Sequence, residues 1–256
     1  MLLTIDVGNS NMVFGLLDGK KLVGSFRAVT NSERTVDELG LTLRQFMQHI
    51  GAEMEQVEDT IISSVVPGVM SLLKDMNQKY FGRPPIVVDE DVDAGMNYRS
   101  DAAERLGTDR TVACIAALEK YGAPLIVADF GTATTLDAID ADGVYQGGCI
   151  LAGMRTFADA LAQKTALLPR IELERPDTFL ARRTVPQIQV GSVWGYIGAS
   201  EFLLRRTKEE LGCPDVKIIA TGGLARYIAE ATDLIDALED DLILDGLRLI
   251  YERMKK

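Results

Sequence analysis

Apolar residues recur along the chain in two rhythms. The first is short and continuous. Leu2 to Ile5, Thr60 to Val66, Leu125 to Ala128 and Val216 to Ala220 are compact, largely apolar runs that lead into Asp, Gly or other turn-forming residues. Runs of this kind, bounded by turn residues, predict buried strands. The second rhythm is helical and predicts helices over Glu33 to His49, Val69 to Tyr80, Thr111 to Tyr121, Arg155 to Leu161, Ile188 to Leu211 and Leu242 to Met254. In the first of these, Val36, Leu39, Leu43, Phe46 and Met47 share one face.

The opening pattern occurs twice. Leu3-Thr4-Ile5 leads into Asp6-Val7-Gly8-Asn9-Ser10-Asn11, and Leu125 to Ala128 leads into Asp129-Phe130-Gly131-Thr132-Ala133-Thr134. The match continues downstream. Val13 to Leu17 is followed by Asp18-Gly19 and the strand-like Leu22 to Phe26, while Leu136 to Ile139 is followed by Asp142-Gly143 and Val144 to Ile150. Asp-Gly between apolar runs is a strong hairpin signal, so each half opens with strand, polar turn, strand, hairpin and strand. Two mixed α/β halves joined near residues 112–124 account for nearly the whole chain, with domains expected over 1–115 and 116–256.

Composition narrows the function classes. A chain of 256 residues with 47% hydrophobic content can bury a large core, and a net charge of -11 argues against nucleic acid or an anionic membrane as partner. No apolar run is long enough to span a membrane and the start lacks the basic, cleavable pattern of a signal peptide, so the expected location is the cytoplasm. The three cysteines, Cys114, Cys149 and Cys213, are widely separated and suggest neither a disulfide framework nor a zinc site. The one histidine, His49, ends a predicted helix, which leaves carboxylates as the candidate acid–base groups.

Small residues in the turn Gly8 to Asn11 let backbone N–H groups approach a phosphate, and Gly131 to Thr134 offers the same chemistry. Asp6 and Asp129 would then stand where a hard cation is needed. Each Asp-x-Gly taken alone also reads as a plain strand-ending turn; their repetition at corresponding places favours the phosphate reading. Thr221-Gly222-Gly223 is either a surface for a flat adenine or ribose or a tight strand-to-helix turn. There is no G-x-x-x-x-G-K-[ST] P-loop.

Between the halves, Ala103 to Arg110 runs into the central helix. Thr108 can serve as its N-cap, placing Asp109 and Arg110 in the first turn. Asp109 suits the helix dipole there, but Arg110 does not, and so points to an anionic partner such as a substrate carboxylate. An Asp beside it is placed to accept the proton of a substrate hydroxyl that attacks a phosphate.

The duplicated halves resemble the superfamily of acetate and sugar kinases, heat-shock ATPases and actin, which implies an α/β fold of two RNase H-like, actin-like ATPase domains with the nucleotide in the cleft between them. D-x-G-N-[ST]-N at the start, G-x-D-R before the central helix and D-x-G-T-A-T-T in the middle resemble, in order and spacing, type III pantothenate kinase. That resemblance implies ATP-dependent phosphorylation of pantothenate to 4'-phosphopantothenate, the first step of coenzyme A biosynthesis. It implies ATP contacts at Asp6, Val7, Gly8, Asn9, Ser10, Asn11, Met12, Val13 and Thr132. It places Tyr98, Gly107, Thr108, Asp109, Arg110 and Thr184 on pantothenate, with Asp109 as general base. It further implies Mg²⁺ carried with ATP, a monovalent cation (K⁺ or NH₄⁺) at Asp129, and a homodimer with the substrate site at the interface.

Several positions depart from the family pattern. Ser10 and Met12 stand where Thr is usual, so Met12 can contribute only its backbone; Ala152 replaces a common Pro, and Arg183 precedes Thr184. Two other readings keep the fold. Phosphate hydrolysis on a polyphosphate chain would need basic surface that the composition does not supply, and a nucleotide-binding regulator without turnover would have no need of Asp6, Asp109, Arg110 and Asp129 together.

Overall fold

The computed structural model describes residues 1–89, 95–99 and 106–255. The strands are β1 (Leu2–Val7), β2 (Asn11–Asp18), β3 (Lys21–Val29), β4 (Asp59–Ser64), β5 (Ile86–Val88), β6 (Asn97–Tyr98), β7 (Leu125–Phe130), β8 (Ala133–Ile139), β9 (Val144–Ala152), β10 (Lys217–Thr221) and β11 (Ala237–Leu238). The α-helices are α1 (Val36–His49), α2 (Met70–Phe81), α3 (Thr108–Tyr121), α4 (Met154–Lys164), α5 (Thr184–Gln189), α6 (Gly195–Leu211), α7 (Ala225–Ala229) and α8 (Leu242–Met254). They form two compact units: Met1–Met96, Asp101–Ala116 and Asp241–Lys256 in the first, Asn97–Ser100 and Ala117–Asp240 in the second.

The duplication read from the sequence is present in the topology. The first sheet has the order β3-β2-β1-β4-β5 and the second β11-β10-β7-β8-β9-β6, so five strands repeat in the same arrangement and β6 adds an edge beside β9. In each unit an antiparallel hairpin is followed by a parallel return: β1 pairs β2 antiparallel and β4 parallel, and β7 pairs β8 antiparallel and β10 parallel. Gly19 and Gly143, with φ of 55° and 75°, turn the two Asp-Gly hairpins.

All six residues of β1 are buried, which explains its unbroken apolar run: helices cover both faces of the sheet. On one face Leu3, Ile5 and Val7 pack with Leu39, Leu43 and Met47 of α1 and Leu73 and Met76 of α2. On the other, Leu2 and Ile61 pack with Val112 and Ile115 of α3 and Leu247 and Ile250 of α8. Helix α1 opens on a capping box in which Thr35 Oγ1 accepts the Glu38 N–H at 3.2 Å and Glu38 accepts the Thr35 N–H at 2.7 Å. In the second unit Ile126, Ala128, Phe130 and Leu136 pack with Tyr196, Ile197 and Leu204.

The region Ile188 to Leu211 is helical, and the helix begins earlier, at Thr184, with an interruption inside it. Val190–Trp194 forms a π turn between α5 and α6. The buried residues show why. Ile188, Ser192, Tyr196, Ser200 and Leu204 are all buried at a strict spacing of four. An α-helix turns about 100° per residue, so each step of four overshoots a full turn by about 40° and four steps drift about 160°. One extra residue in a π turn returns about 100° of that drift and keeps the stripe on the core.

Candidate active site

Asp6 closes β1 next to its last residue, Val7, and is buried, with 9% exposure. Gly8, Asn9 and Ser10 form the turn, and Asn11 already belongs to β2. The turn is closed by Gly8 N–H donating to Asn11 O at 3.0 Å. It is braced from β3's end: Thr30 N–H donates to Ser10 O at 3.0 Å and Thr30 Oγ1 to Gly8 O at 2.7 Å. Asn9, Ser10 and Asn11 are exposed, whereas Met12 is fully buried in the core and can present only backbone outward; Val13 is half-buried.

The equivalent turn in the second unit is one residue shorter, because β8 starts at Ala133 and only Gly131 and Thr132 separate it from β7. Gly131 N–H closes it on Ala133 O at 3.1 Å. Its brace is the start of α4: the Thr132 carbonyl accepts from Gly153 N–H at 3.0 Å and from Thr156 Oγ1 at 2.7 Å. Gly153 lies so close that a Cβ there would be 2.1 Å from Gly131 O and 2.7 Å from Thr132 O. Asp129, half-buried on β7, lies opposite Thr221 of β10. Gly222, at φ +94°, leads from β10 towards α7, and a Cβ there would lie 2.3 Å from Asp129 Oδ1 and 2.7 Å from Phe130 N. Gly222 is thus a strand-to-helix turn that also leaves room for the Asp129 carboxylate.

Helix α3 begins at Thr108 itself, one residue earlier than an N-cap there would have it, and Thr111 N–H makes its first bond to Gly107 O at 2.9 Å. Asp109 and Arg110 are therefore in the first turn, both half-buried, and one Asp109 oxygen accepts the Arg110 N–H at 2.8 Å. A side chain at Gly107 would approach that same oxygen to 3.0 Å. Positions 103–105 of this stretch lie outside the described residues. Tyr98 on β6 is half-buried, its ring edge-on to Tyr145 at 5.9 Å. Thr184 is the exposed first residue of α5, with Arg183 in the N-cap position.

The predicted residues thus fall into three local groups, Asp6 to Val13 in one hairpin, Gly107 to Arg110 in one helix turn and Asp129 with Thr132 at one strand end, while Tyr98 and Thr184 stand apart on separate elements. The sequence patterns did not point to Thr30, Gly153, Thr156 or Tyr196. Tyr196 is buried, with its hydroxyl hydrogen-bonded to Thr134 Oγ1. Burial raises the Tyr196 phenol above its ordinary value, the Thr134 and Ser200 hydroxyls oppose that, and the Asp129 charge adds to it. Cys114, Cys149 and Cys213 are free thiols and His49 is an exposed helix-end residue. Among the described residues no three His, Cys, Asp or Glu side chains converge as a metal cage, and no helix is long and apolar enough to cross a membrane.

Comparison with known proteins gives consistent results. The sequence profile of the family described as type III pantothenate kinase matches residues 2–206. A type III pantothenate kinase from Paramagnetospirillum magneticum is 48% identical over 254 residues, covering 99% of this chain and 97% of that protein. One from Agathobacter rectalis is 40% identical over 256 residues, covering 100% and 98%. Among solved structures, the activator of the 2-hydroxyisocaproyl-CoA dehydratase from Clostridium difficile, solved with bound ADPNP, aligns with a TM-score of 0.54 at 13% identity over 99% of this chain and 97% of that one. Component A of the (R)-2-hydroxyglutaryl-CoA dehydratase from Acidaminococcus fermentans also aligns at 0.54, with 14% identity over 100% and 99%. At such identities the likeness is one of fold, the duplicated actin-like ATPase fold that the sheet orders display.

Proposed function

Because this chain belongs to the type III pantothenate kinase family, we propose that it transfers the γ-phosphate of ATP to the terminal hydroxyl of pantothenate, giving 4'-phosphopantothenate, the first step of coenzyme A biosynthesis. The observation that carries this reading at the level of chemistry is the pair of braced strand-end turns, each with a carboxylate at its strand end. The first turn, Asp6 to Val13, and Thr132 in the second contact the phosphates. Most of the catalysis is then positioning and charge neutralisation.

Gly107, Thr108 and Arg110 hold pantothenate, with the Arg110 guanidinium on its carboxylate. Asp109 is the general base. One of its oxygens is engaged by the Arg110 N–H, which fixes the carboxylate, and the other takes the hydroxyl proton as the oxygen attacks phosphorus. Tyr98 and Thr184 complete the pantothenate pocket at a homodimer interface. The second unit exposes apolar side chains, Ile150, Phe157, Val185 and Phe202 among them, that such an interface could cover.

The residues fit the cations the family implies. Asp6 and Asp129 are hard oxygen donors at corresponding strand ends, and the absence of a side chain at Gly222 leaves room for the Asp129 carboxylate. Asp129 would hold the monovalent cation, K⁺ or NH₄⁺, and Asp6 would stand near the Mg²⁺ that arrives with ATP. When bound, these ions neutralise phosphate charge.

A coupled ADP-release assay with Mg²⁺, run with and without pantothenate and in K⁺ and then Na⁺, tests the reading. Pantothenate-dependent turnover that is faster in K⁺ is expected. Turnover indifferent to pantothenate would overturn the kinase assignment, and equal rates in both salts would overturn the monovalent-cation role.

A further inference from the structure

The Tyr196 hydroxyl is polar in an apolar place. Its ring packs among Ile126, Phe130, Leu136 and Ile197, and its hydroxyl meets Thr134 Oγ1, a side chain with no exposure at all, with the Ser200 hydroxyl of its own helix also beside it. Two apolar side chains of the same shape would fill that space at little cost, so the paired hydroxyls do something that packing alone does not require. The placement of Thr134 indicates what. It is the second residue of β8, it faces Phe130 across the β7–β8 ladder, and it stands two residues after Thr132. A restraint on Thr134 is therefore a restraint on the short turn Gly131-Thr132.

The helix carrying Tyr196 is built to deliver it. The π turn Val190–Trp194 ends two residues before Tyr196. In a continuous α-helix Tyr196 would lie about 40° round the axis from Ser192 and about 80° from Ile188, and the π turn takes up most of that drift. π turns are rare, well under about 1% of residues, and they concentrate at functional sites. The turn Gly131-Thr132 would then be held from two sides: by Gly153 and Thr156 on its Thr132 carbonyl, and by Tyr196 through Thr134.

We propose that Tyr196 is a positioning residue for the nucleotide, acting through Thr134 to fix the turn Gly131-Thr132, and that the π turn in its helix serves to aim it there. This rests on the reading of Thr132 as an ATP phosphate contact. Tyr196 touches neither substrate; it holds the element that does.

The test is ADP binding by calorimetry, together with the KM for ATP and for pantothenate. Tyr196→Phe keeps the ring and removes only the hydroxyl. It should weaken ADP binding and raise the KM for ATP about fivefold to tenfold, and leave the KM for pantothenate within twofold. Thr134→Val should reproduce the effect, the double variant should be no worse than either single one, and Thr134→Ser, which keeps the hydroxyl, should retain wild-type ADP affinity. Wild-type ADP affinity in Tyr196→Phe, or additive losses in the double variant, would overturn the proposal. So would a lowered melting temperature with unchanged nucleotide affinity, since that is the signature of packing alone. Because ADP binding is read without pantothenate, failure of pantothenate turnover in the wild type would count against the kinase reading and leave this comparison standing.

Discussion

Replacing Gly153 by Ala isolates the close approach between the start of α4 and the second turn. The backbone there, at φ -63° and ψ 158°, is open to any residue, so Ala pays no conformational penalty. On the unfolded-state side the change would by itself stabilise the protein by about 0.4–1 kcal/mol. Against this, the new Cβ would lie 2.1 Å from Gly131 O and 2.7 Å from Thr132 O, where ordinary contact begins at 3.4 Å. Both neighbours are backbone and cannot swing aside, so the turn itself must retreat by more than 1 Å. Overpacking of this kind costs about 1–3 kcal/mol, which leaves a net destabilisation of about 0–2.6 kcal/mol, centred on about 1.3 kcal/mol.

The effect on activity should be larger than the effect on stability. A displacement of about 1 Å in a positioning element can cost about 10²-fold in rate, equivalent to about 2.7 kcal/mol. Urea denaturation gives the first quantity and kcat/KM for ATP the second. Gly198→Ala is the matched control. It lies exposed in α6 with nothing within 4 Å of its absent Cβ, so the same chemical change should stabilise by about 1 kcal/mol. If Gly153→Ala behaved like Gly198→Ala, more stable and with an unaltered KM for ATP, the turn would not be held against α4 as the structure places it.

Three further outcomes follow from particular residues. Asp109→Asn should abolish turnover and leave pantothenate affinity, measured by calorimetry, within a few fold; turnover at the wild-type rate would remove Asp109 as the base. Thr35→Ala breaks the capping box of α1 and should cost about 1 kcal/mol in urea denaturation, with kcat unchanged because α1 carries none of the proposed site residues. Burial would raise the Asp59 carboxyl, but hydrogen bonds from Lys255 and Tyr251 and the Lys255 and Arg83 charges outweigh it and hold the group below its ordinary value. Its contribution is therefore complete above the unfolded value of about 4 and is lost as the pH falls through the lower, folded value; Asp59→Asn should flatten that part of the acid denaturation profile, and an unaltered profile would refute the sign.

The duplicated sheets were legible because both signals that define them are local. A buried strand needs a continuous apolar run and a hairpin needs its Asp-Gly, and both occur in the same order in each half. The long amphipathic helices were legible for the same reason. The one-residue difference between the two turns was not. Ser10 and Ala133 both look like turn residues, and only the ladders show that Ala133 has already joined β8. The partner of α8 was equally hidden: its apolar stripe states that it packs, but not that Leu247 and Ile250 meet Leu2 and Ile61 from the other end of the chain. The short elements β5, β11 and α7, of two to five residues, carry too few positions to show a period. Gly107 to Arg110 was readable as the start of a helix with a misplaced cation, whereas Thr30, Thr156 and Tyr196 look ordinary until the turns they brace are seen.

Those braces bear on why such turns would suit an anion. A backbone turn exposes carbonyl oxygens as readily as N–H groups, and outward-facing carbonyls would repel a phosphate. In the first turn the Gly8 and Ser10 carbonyls are both engaged by Thr30, and in the second the Thr132 carbonyl is engaged twice, by Gly153 and Thr156. Each is thereby turned toward a protein donor, so under the proposed reading the negative ends of these peptide dipoles would not face a phosphate. The two units reach this result by different means, a threonine at the end of β3 in one and a helix start after β9 in the other. The shared strand order is thus accompanied by a shared electrostatic outcome, although the residues that produce it do not correspond. On the proposed phosphate reading, Thr30 and Thr156 would act through the turn carbonyls they hold.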